Sequence, residues 1–249
     1  MEIVVCHDAN HGAHLAADLI GVHIKQLVDP IPGRRRSIGL ATGGSMAGLY
    51  AELGRRHAVD PFDVRALRLV LLDEYVGLPV GHAQLFQTLL WKDFGGPLGF
   101  SKDQFLGPDV FAEDLPAACD RFEQAVRDGG GVDIQLLGIG SNGHIGFNEP
   151  GSSLTSRTRT VRLADATRAD NARYFPWGDH VPREAVTQGI ATILEARALV
   201  LIAFGGRKAP AIKQALRGPV ADEVPASALQ LHPHLTVIVD DGAASQLFS

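Results

Sequence analysis

A histidine set among glycines is the position in this chain most suggestive of chemistry. The run Gly138-Ile139-Gly140-Ser141-Asn142-Gly143-His144-Ile145-Gly146-Phe147-Asn148-Glu149-Pro150-Gly151 places His144 where a side chain can shuttle protons near neutral pH. An imidazole needs a partner to fix its tautomer and orientation, and Asn142 and Glu149 stand nearby in sequence. A second carboxylate, Asp73, comes directly after the apolar run ending Leu71-Leu72. At such a strand end it can serve as a general base if its pKa suits the task. A His–carboxylate pair plus a separate Asp has the parts for opening a sugar ring and then moving a proton between carbons. The plainer readings are a structural histidine in a glycine turn and a capping role for Asp73.

An anion site is the next expectation. Ala41-Thr42-Gly43-Gly44-Ser45 leads into a helical stretch from Met46 to Arg55. Glycines let the backbone approach a ligand closely, and a following helix offers free N–H groups and its positive dipole end. Thr42 and Ser45 could add hydroxyl donors. Lys208, after Gly205-Gly206, and Arg173, in Ala172-Arg173-Tyr174-Phe175, could supply positive charge. Singly, each is more often a solvated cation.

Other chemistries fit less well. Gly43 and Gly48 have P-loop spacing, but no Gly-Lys-Ser/Thr follows. Gly138, Gly140 and Gly143 satisfy G-x-G-x-x-G, yet Pro150-Gly151 interrupts the helix that should open there. The acidic ribose ligand expected about 20 residues on is replaced by Arg157-Thr158-Arg159-Thr160-Val161-Arg162. His7 and His11 have i, i+4 spacing, but Asp8 and Asn10 read as a helix start. Cys6 and Cys119, the two cysteines, read as buried free thiols. Arg34–Arg36 reads as a solvated turn, and His232-Pro233-His234 as a loop. A net charge of −5 in 249 residues gives no basic field for nucleic acid or anionic lipid. The N-terminus lacks the basic and long apolar regions of a secretory signal, and no segment approaches a membrane span. The expectation is a cytoplasmic protein.

These residues need a frame. Short β-branched runs at Glu2–Cys6, Ser37–Leu40, Leu67–Leu72, Val132–Leu137, Ala198–Ala203 and Leu235–Val239 read as strands. Leu15, Leu19, Ile20, Ile24 and Leu27 mark one helix between them, and Phe122, Ala125 and Val126 another. That alternation predicts an α/β fold: a single domain over 1–249 with an open, mostly parallel sheet and helices on both faces, a Rossmann-like three-layer arrangement. The glycine-rich and polar segments all follow strands. In open parallel sheets ligands bind beyond the strands' carboxyl ends, so these segments should converge on one cleft.

Taken in order, the segments resemble one family. GIGSNGHIGFNEPGSSLTSRTR (Gly138–Arg159), ATGGS (Ala41–Ser45), LDEYVGLP (Leu72–Pro79), NARYF (Asn171–Phe175) and SALQLHP (Ser227–Pro233) resemble the glucosamine-6-phosphate deaminases, within the sugar-phosphate isomerase and phosphogluconolactonase superfamily. The resemblance implies Asp73 as the base that moves a proton from C2 to C1 and His144 as the group that assists ring opening. It implies Asn142 and Glu149 as supports of that histidine; the family has Asp or Asn at the Asn142 position. It implies a phosphate site from Gly43, Gly44, Ser45, Arg173 and Lys208, with no metal or organic cofactor. Leu85-Phe86 departs from the family's Ser-Tyr pair, which touches the lid or pocket. Arg159 matches one effector position of the hexameric members, but Val161 replaces a lysine there and the chain lacks their longer C-terminal region. Weak or absent activation and a monomer or small homo-oligomer are therefore expected. The alternatives are the galactosamine 6-phosphate epimer as substrate, a phosphogluconolactonase, and a non-catalytic sugar-phosphate sensor.

Overall fold

The computed structural model describes residues 1–27, 36–176 and 179–248. Its strands are β1 (Glu2–Cys6), β2 (Arg36–Leu40), β3 (Leu67–Leu71), β4 (Asp73–Val76), β5 (Phe105–Leu106), β6 (Ile134–Leu137), β7 (Arg159–Arg162), β8 (Glu184–Thr187), β9 (Ala198–Ala203) and β10 (Leu235–Asp240). Its α-helices are α1 (Ala9–Leu27), α2 (Gly44–Val59), α3 (Phe86–Leu90), α4 (Leu115–Asp128), α5 (Asp165–Asn171), α6 (Ile190–Leu194), α7 (Ala209–Arg217) and α8 (Asp241–Ala244).

Seven strands form a parallel sheet in the order β1-β10-β9-β6-β2-β3-β5. All four residues of β6 are buried, as are five of six in β9. Successive strand residues point to opposite faces, so both faces of the sheet centre are covered. Local sequence accounts for the covering helices. The Asp114 side chain accepts from Ala117 N at 2.9 Å to start α4, and Asp8 Oδ1 accepts from His11 N at 2.8 Å in the first turn of α1. Met46, Leu49, Tyr50 and Leu53 give α2 one buried stripe. Full burial of each such side chain stabilises by about 1.5–3 kcal/mol.

The strand order creates a crevice. From β2 the chain steps outward through β3 to β5, then β6 returns to the other side of β2 and the chain proceeds to β9 and β10. Adjacent loops after β2 and β6 thus leave in opposite directions, the switch-point geometry at which such sheets bind ligands. Those loops are Ala41–Gly43 and the glycine run from Gly138.

The structure corrects four sequence expectations. First, β4, β8 and β7 form a separate antiparallel sheet, which the sequence reading did not include. Second, the expected Leu67–Leu72 strand stops at Leu71, and Asp73 opens a further strand, β4. Leu72 is the pivot between the sheets: its N–H donates to Leu40 O at 3.0 Å and its carbonyl accepts from Gln188 N at 2.8 Å. Third, Arg36 begins β2 and pairs with Asp133 at 3.2 Å, so it is not in a solvated turn. Arg34 and Arg35 lie outside the described residues. The Val132–Leu137 strand is shorter than expected, starting at Ile134. No described helix is long and apolar enough to cross a membrane.

Candidate active site

Two consecutive acids at the start of β4 have opposite surroundings. Glu74 is buried and its carboxylate accepts from Tyr75 N at 2.9 Å, Phe86 N at 2.8 Å and Gln87 N at 2.9 Å. It therefore satisfies backbone donors at the start of α3. Burial still pushes its carboxyl up, against those bonds. Asp73 is also buried, yet its carboxylate accepts no recorded hydrogen bond from a described residue. Burial, followed by the neighbouring Glu74 charge, pushes its carboxyl well above the ordinary range. The capping role considered for Asp73 thus belongs to Glu74, and Asp73 retains its acceptor capacity.

The loop after β6 lies against Asp73. Gly146 has φ 56°, and a Cβ there would sit 3.4 Å from Asp73 Oδ2 and only 2.9 Å from Thr187 Oγ1, so glycine suits both the turn and the close approach to Thr187. The loop turns tightly, with Gly143 N donating to Gly140 O at 3.1 Å and Gly140 N to His144 O at 2.9 Å. The His144 ring folds back over Gly140, where a Cβ would come within 2.2 Å of its Cε1. Of the three glycines that resembled a dinucleotide fingerprint, Gly140 makes room for the imidazole, while Gly143 packs against Val224.

Asn142, His144 and Glu149 come together. Asn142 Oδ1 accepts from His144 N at 3.2 Å, and Asn142 Nδ2 donates to Glu149 Oε2 at 2.8 Å. The same Oε2 lies 3.6 Å from His144 Nδ1, an ion-pair distance that leaves this buried nitrogen without a hydrogen bond. Glu149 Oε1 accepts from the Thr167 hydroxyl. Burial acts to raise the Glu149 carboxyl, but interactions with His144, Thr167 and Asn142 outweigh it and hold it at about 2. Glu149 is ionised at neutral pH and can favour one orientation of the ring.

The cationic candidates approach the same crevice. Lys208 Nζ donates to Ile139 O at 2.6 Å, which brings it to the His144 loop. Burial, then the charge of Arg207, lowers its pKa, and Arg173 contributes in the same direction. Arg173 itself is exposed and lies over Tyr174 at 4.9 Å. Across the switch point, Gly43 has φ 115° and caps α2 without a side-chain bond. Gly43 and Gly44 are exposed, and Thr42 and Ser45 are half-buried. The structure places this loop beside the β6 loop through strand order, with no recorded bond between it and Lys208 or Arg173.

Sequence reasoning missed several residues that build the site. Asn148 is fully buried; its Nδ2 donates to Ile145 O at 3.0 Å and Gln188 O at 2.8 Å, and its Oδ1 accepts from Arg159 Nη1 at 2.8 Å. Its place beside Glu149 was a signal, but one shared by every residue of the run. Thr167 carried no local signal, because its partner lies 18 residues away. Leu85-Phe86 serves packing: Leu85 is buried and Phe86 lies 4.8 Å from Tyr75 and 5.8 Å from Phe147, ring to ring.

A His–carboxylate pair and a desolvated acid beyond the carboxyl ends of a parallel sheet, with Lys208 bonded to the same loop, give an α/β protein whose grouped side chains suit proton transfer. Comparison with known proteins narrows the class. The chain matches the family described as glucosamine-6-phosphate isomerases/6-phosphogluconolactonase over residues 10–238, and it belongs to that family. Relatives named glucosamine-6-phosphate deaminase are 49% identical in Streptomyces avermitilis and 46% identical in Mycolicibacterium smegmatis; each alignment spans 99% of this chain and 93% of the relative. A solved monomeric glucosamine-6-phosphate deaminase superposes with a TM-score of 0.92 at 40% identity, covering 99% of this chain and 100% of that one. The 6-phosphogluconolactonase of Trypanosoma cruzi shares the fold, with a TM-score of 0.78 at 21% identity, over 100% of this chain and 97% of its own.

Proposed function

We propose that this protein converts glucosamine 6-phosphate and water into fructose 6-phosphate and ammonia. The observation that carries the reading is the contrast at the start of β4. Glu74 is committed to three backbone N–H groups, while Asp73 is desolvated, has no recorded donor and lies against the His144 loop. The names of relatives at 45–49% identity along almost the whole chain support the same reaction.

In this mechanism Thr42, Gly43, Gly44, Ser45, Arg173 and Lys208 hold the phosphate, and that remote binding energy positions the sugar over Asp73. His144, oriented by Asn142 and Glu149, assists ring opening: the ring oxygen gains a proton and the C1 hydroxyl loses one, giving the aldehyde. Asp73 takes the C2 proton while one proton of the substrate ammonium passes to the C1 oxygen, so the C1 carbonyl becomes the hydroxyl of an enolamine. It returns the proton to C1, leaving an imine at C2. Water adds to that carbon and ammonia departs. One carboxylate serves both carbons because both are held within its reach. Desolvation makes Asp73 a stronger base, and the ammonium of the bound amino sugar favours its ionised form.

The reading needs no metal or organic cofactor. It has residues 1–249 acting as one domain in the cytoplasm, as a monomer or small homo-oligomer, and the monomeric structural relative favours the monomer. Purified protein given glucosamine 6-phosphate should release ammonia and fructose 6-phosphate in equal amounts without added metal. Ligand binding without turnover would replace the enzyme with a sensor, and faster turnover of galactosamine 6-phosphate would change the epimer.

A further inference from the structure

Helix α5 carries one group of the site and leads directly to another candidate. Thr167 is buried, and its hydroxyl donates to Glu149 Oε1. Six residues on, directly after α5, stands Arg173, whose charge acts on Lys208. Between them Asn171 Nδ2 donates to Tyr75 Oη at 2.9 Å, tying the end of α5 to β4, two residues from Asp73. Arg168, beside Thr167, reaches Val181 O with Nη2 at 3.2 Å.

The division of labour at Glu149 gives Thr167 its importance. Oε2 faces His144 Nδ1 and accepts from Asn142, both on the Gly138–Glu149 loop. Oε1 accepts from Thr167, on a different element. A carboxylate held at one oxygen can still turn about its last bond. Held at both, it presents Oε2 to the imidazole in one orientation. With His144 Nδ1 already 3.6 Å from Oε2 and lacking a hydrogen bond, a small rotation would strengthen or abolish that contact.

We infer that Thr167 is a positioning residue: it fixes the Glu149 carboxylate against His144 and thereby links the placement of α5, and of Arg173 after it, to the readiness of the His–carboxylate pair. The inference rests on the deaminase reading for its kinetic consequence. Its structural part stands on the hydrogen bonds alone.

Two substitutions and two readouts test it. Thr167→Val keeps the shape and removes the hydroxyl; Thr167→Ser keeps the hydroxyl. With glucosamine 6-phosphate, the valine variant should lose about 10–100-fold in kcat, the magnitude typical of removing a partner that orients a metal-bound histidine, with KM changed by less than about threefold. The serine variant should recover most of that loss. Separately, the Glu149 carboxyl carbon resonance at pH 7 should move in Thr167→Val and return in Thr167→Ser. Unchanged kcat in the valine variant, a loss that serine fails to restore, or an unmoved Glu149 resonance would overturn the proposal. Absence of turnover by the unmodified protein would instead refute the deaminase reading, and the resonance would still judge Thr167.

Discussion

At the scale of single residues, the site depends on close approach and on one unusually placed charge. His144 packs over Gly140 where no side chain fits. Gly140→Ala should therefore displace the imidazole, lowering kcat by at least roughly 10-fold, the low end of a general acid–base contribution being larger still. The fold should survive, because the ring can swing away; circular dichroism and thermal unfolding would check this. Asp73 gives a prediction of opposite sign for stability and activity. Its folded pKa lies well above the unfolded value, so the stabilising protonated form is present at low pH and lost as pH rises through the folded pKa. At neutral pH the ionised form is a cost to the fold. Asp73→Asn should thus be inactive but melt higher, by roughly 2–4 °C for each 1 kcal/mol recovered; an unchanged or lower Tm would contradict this. Asp73, His144, Asn142 and Glu149 were legible in the sequence because they sit in or beside compact runs of unusual composition. Thr167 was not, since it acts through a partner on another element, and an isolated threonine has many ordinary uses; Arg159 stood out only as a match to an effector position, whereas here it donates to Asn148.

At the scale of elements, the small antiparallel sheet aims the chemistry. Gln188, after β8, accepts the chain as it leaves β3: its N–H donates to Leu72 O at 2.8 Å and its Nε2 to Leu71 O at 2.9 Å. This holds Asp73 at the first position of β4, opposite Thr187. Glu74 then anchors α3 through the N–H groups of Phe86 and Gln87. Glu74→Ala should leave the N–H groups of Tyr75, Phe86 and Gln87 without this acceptor; water reaches the last two, so the cost in denaturant unfolding should be about 1–3 kcal/mol, that of one buried orphan. A cost below about 0.5 kcal/mol would show that the bonds do not anchor α3. The parallel sheet was legible because its strands are near-continuous apolar runs. The antiparallel sheet was not: β4, β7 and β8 are four residues each, too short for alternation to stand out, and two of them lie within segments dominated by charged residues.

At the scale of the molecule, acid stability and the reaction itself test the account. Glu149 and Glu123 are both held at about 2. Burial acts to raise Glu123, but Thr192, Thr158 and Arg157 together outweigh it. Carboxyls depressed in this way contribute stability above their unfolded pKa, near 4.5, and lose it as pH falls toward 2. Thermal unfolding should show Tm falling through that window, with a smaller fall in Glu123→Gln; equal pH dependence in both proteins would contradict the assignment. The organisation around the β2/β6 switch point followed from alternating strands and helices, while the reaction came from the ordered motifs, since a crevice of this shape can host other chemistries. The role of Asp73 is measured most directly by exchange of the C2 proton of glucosamine 6-phosphate in deuterated water, comparing the unmodified protein with Asp73→Asn. The unmodified protein should show exchange accompanied by ammonia release, and Asp73→Asn no exchange with phosphate binding retained. Exchange at the unmodified rate in Asp73→Asn would contradict it.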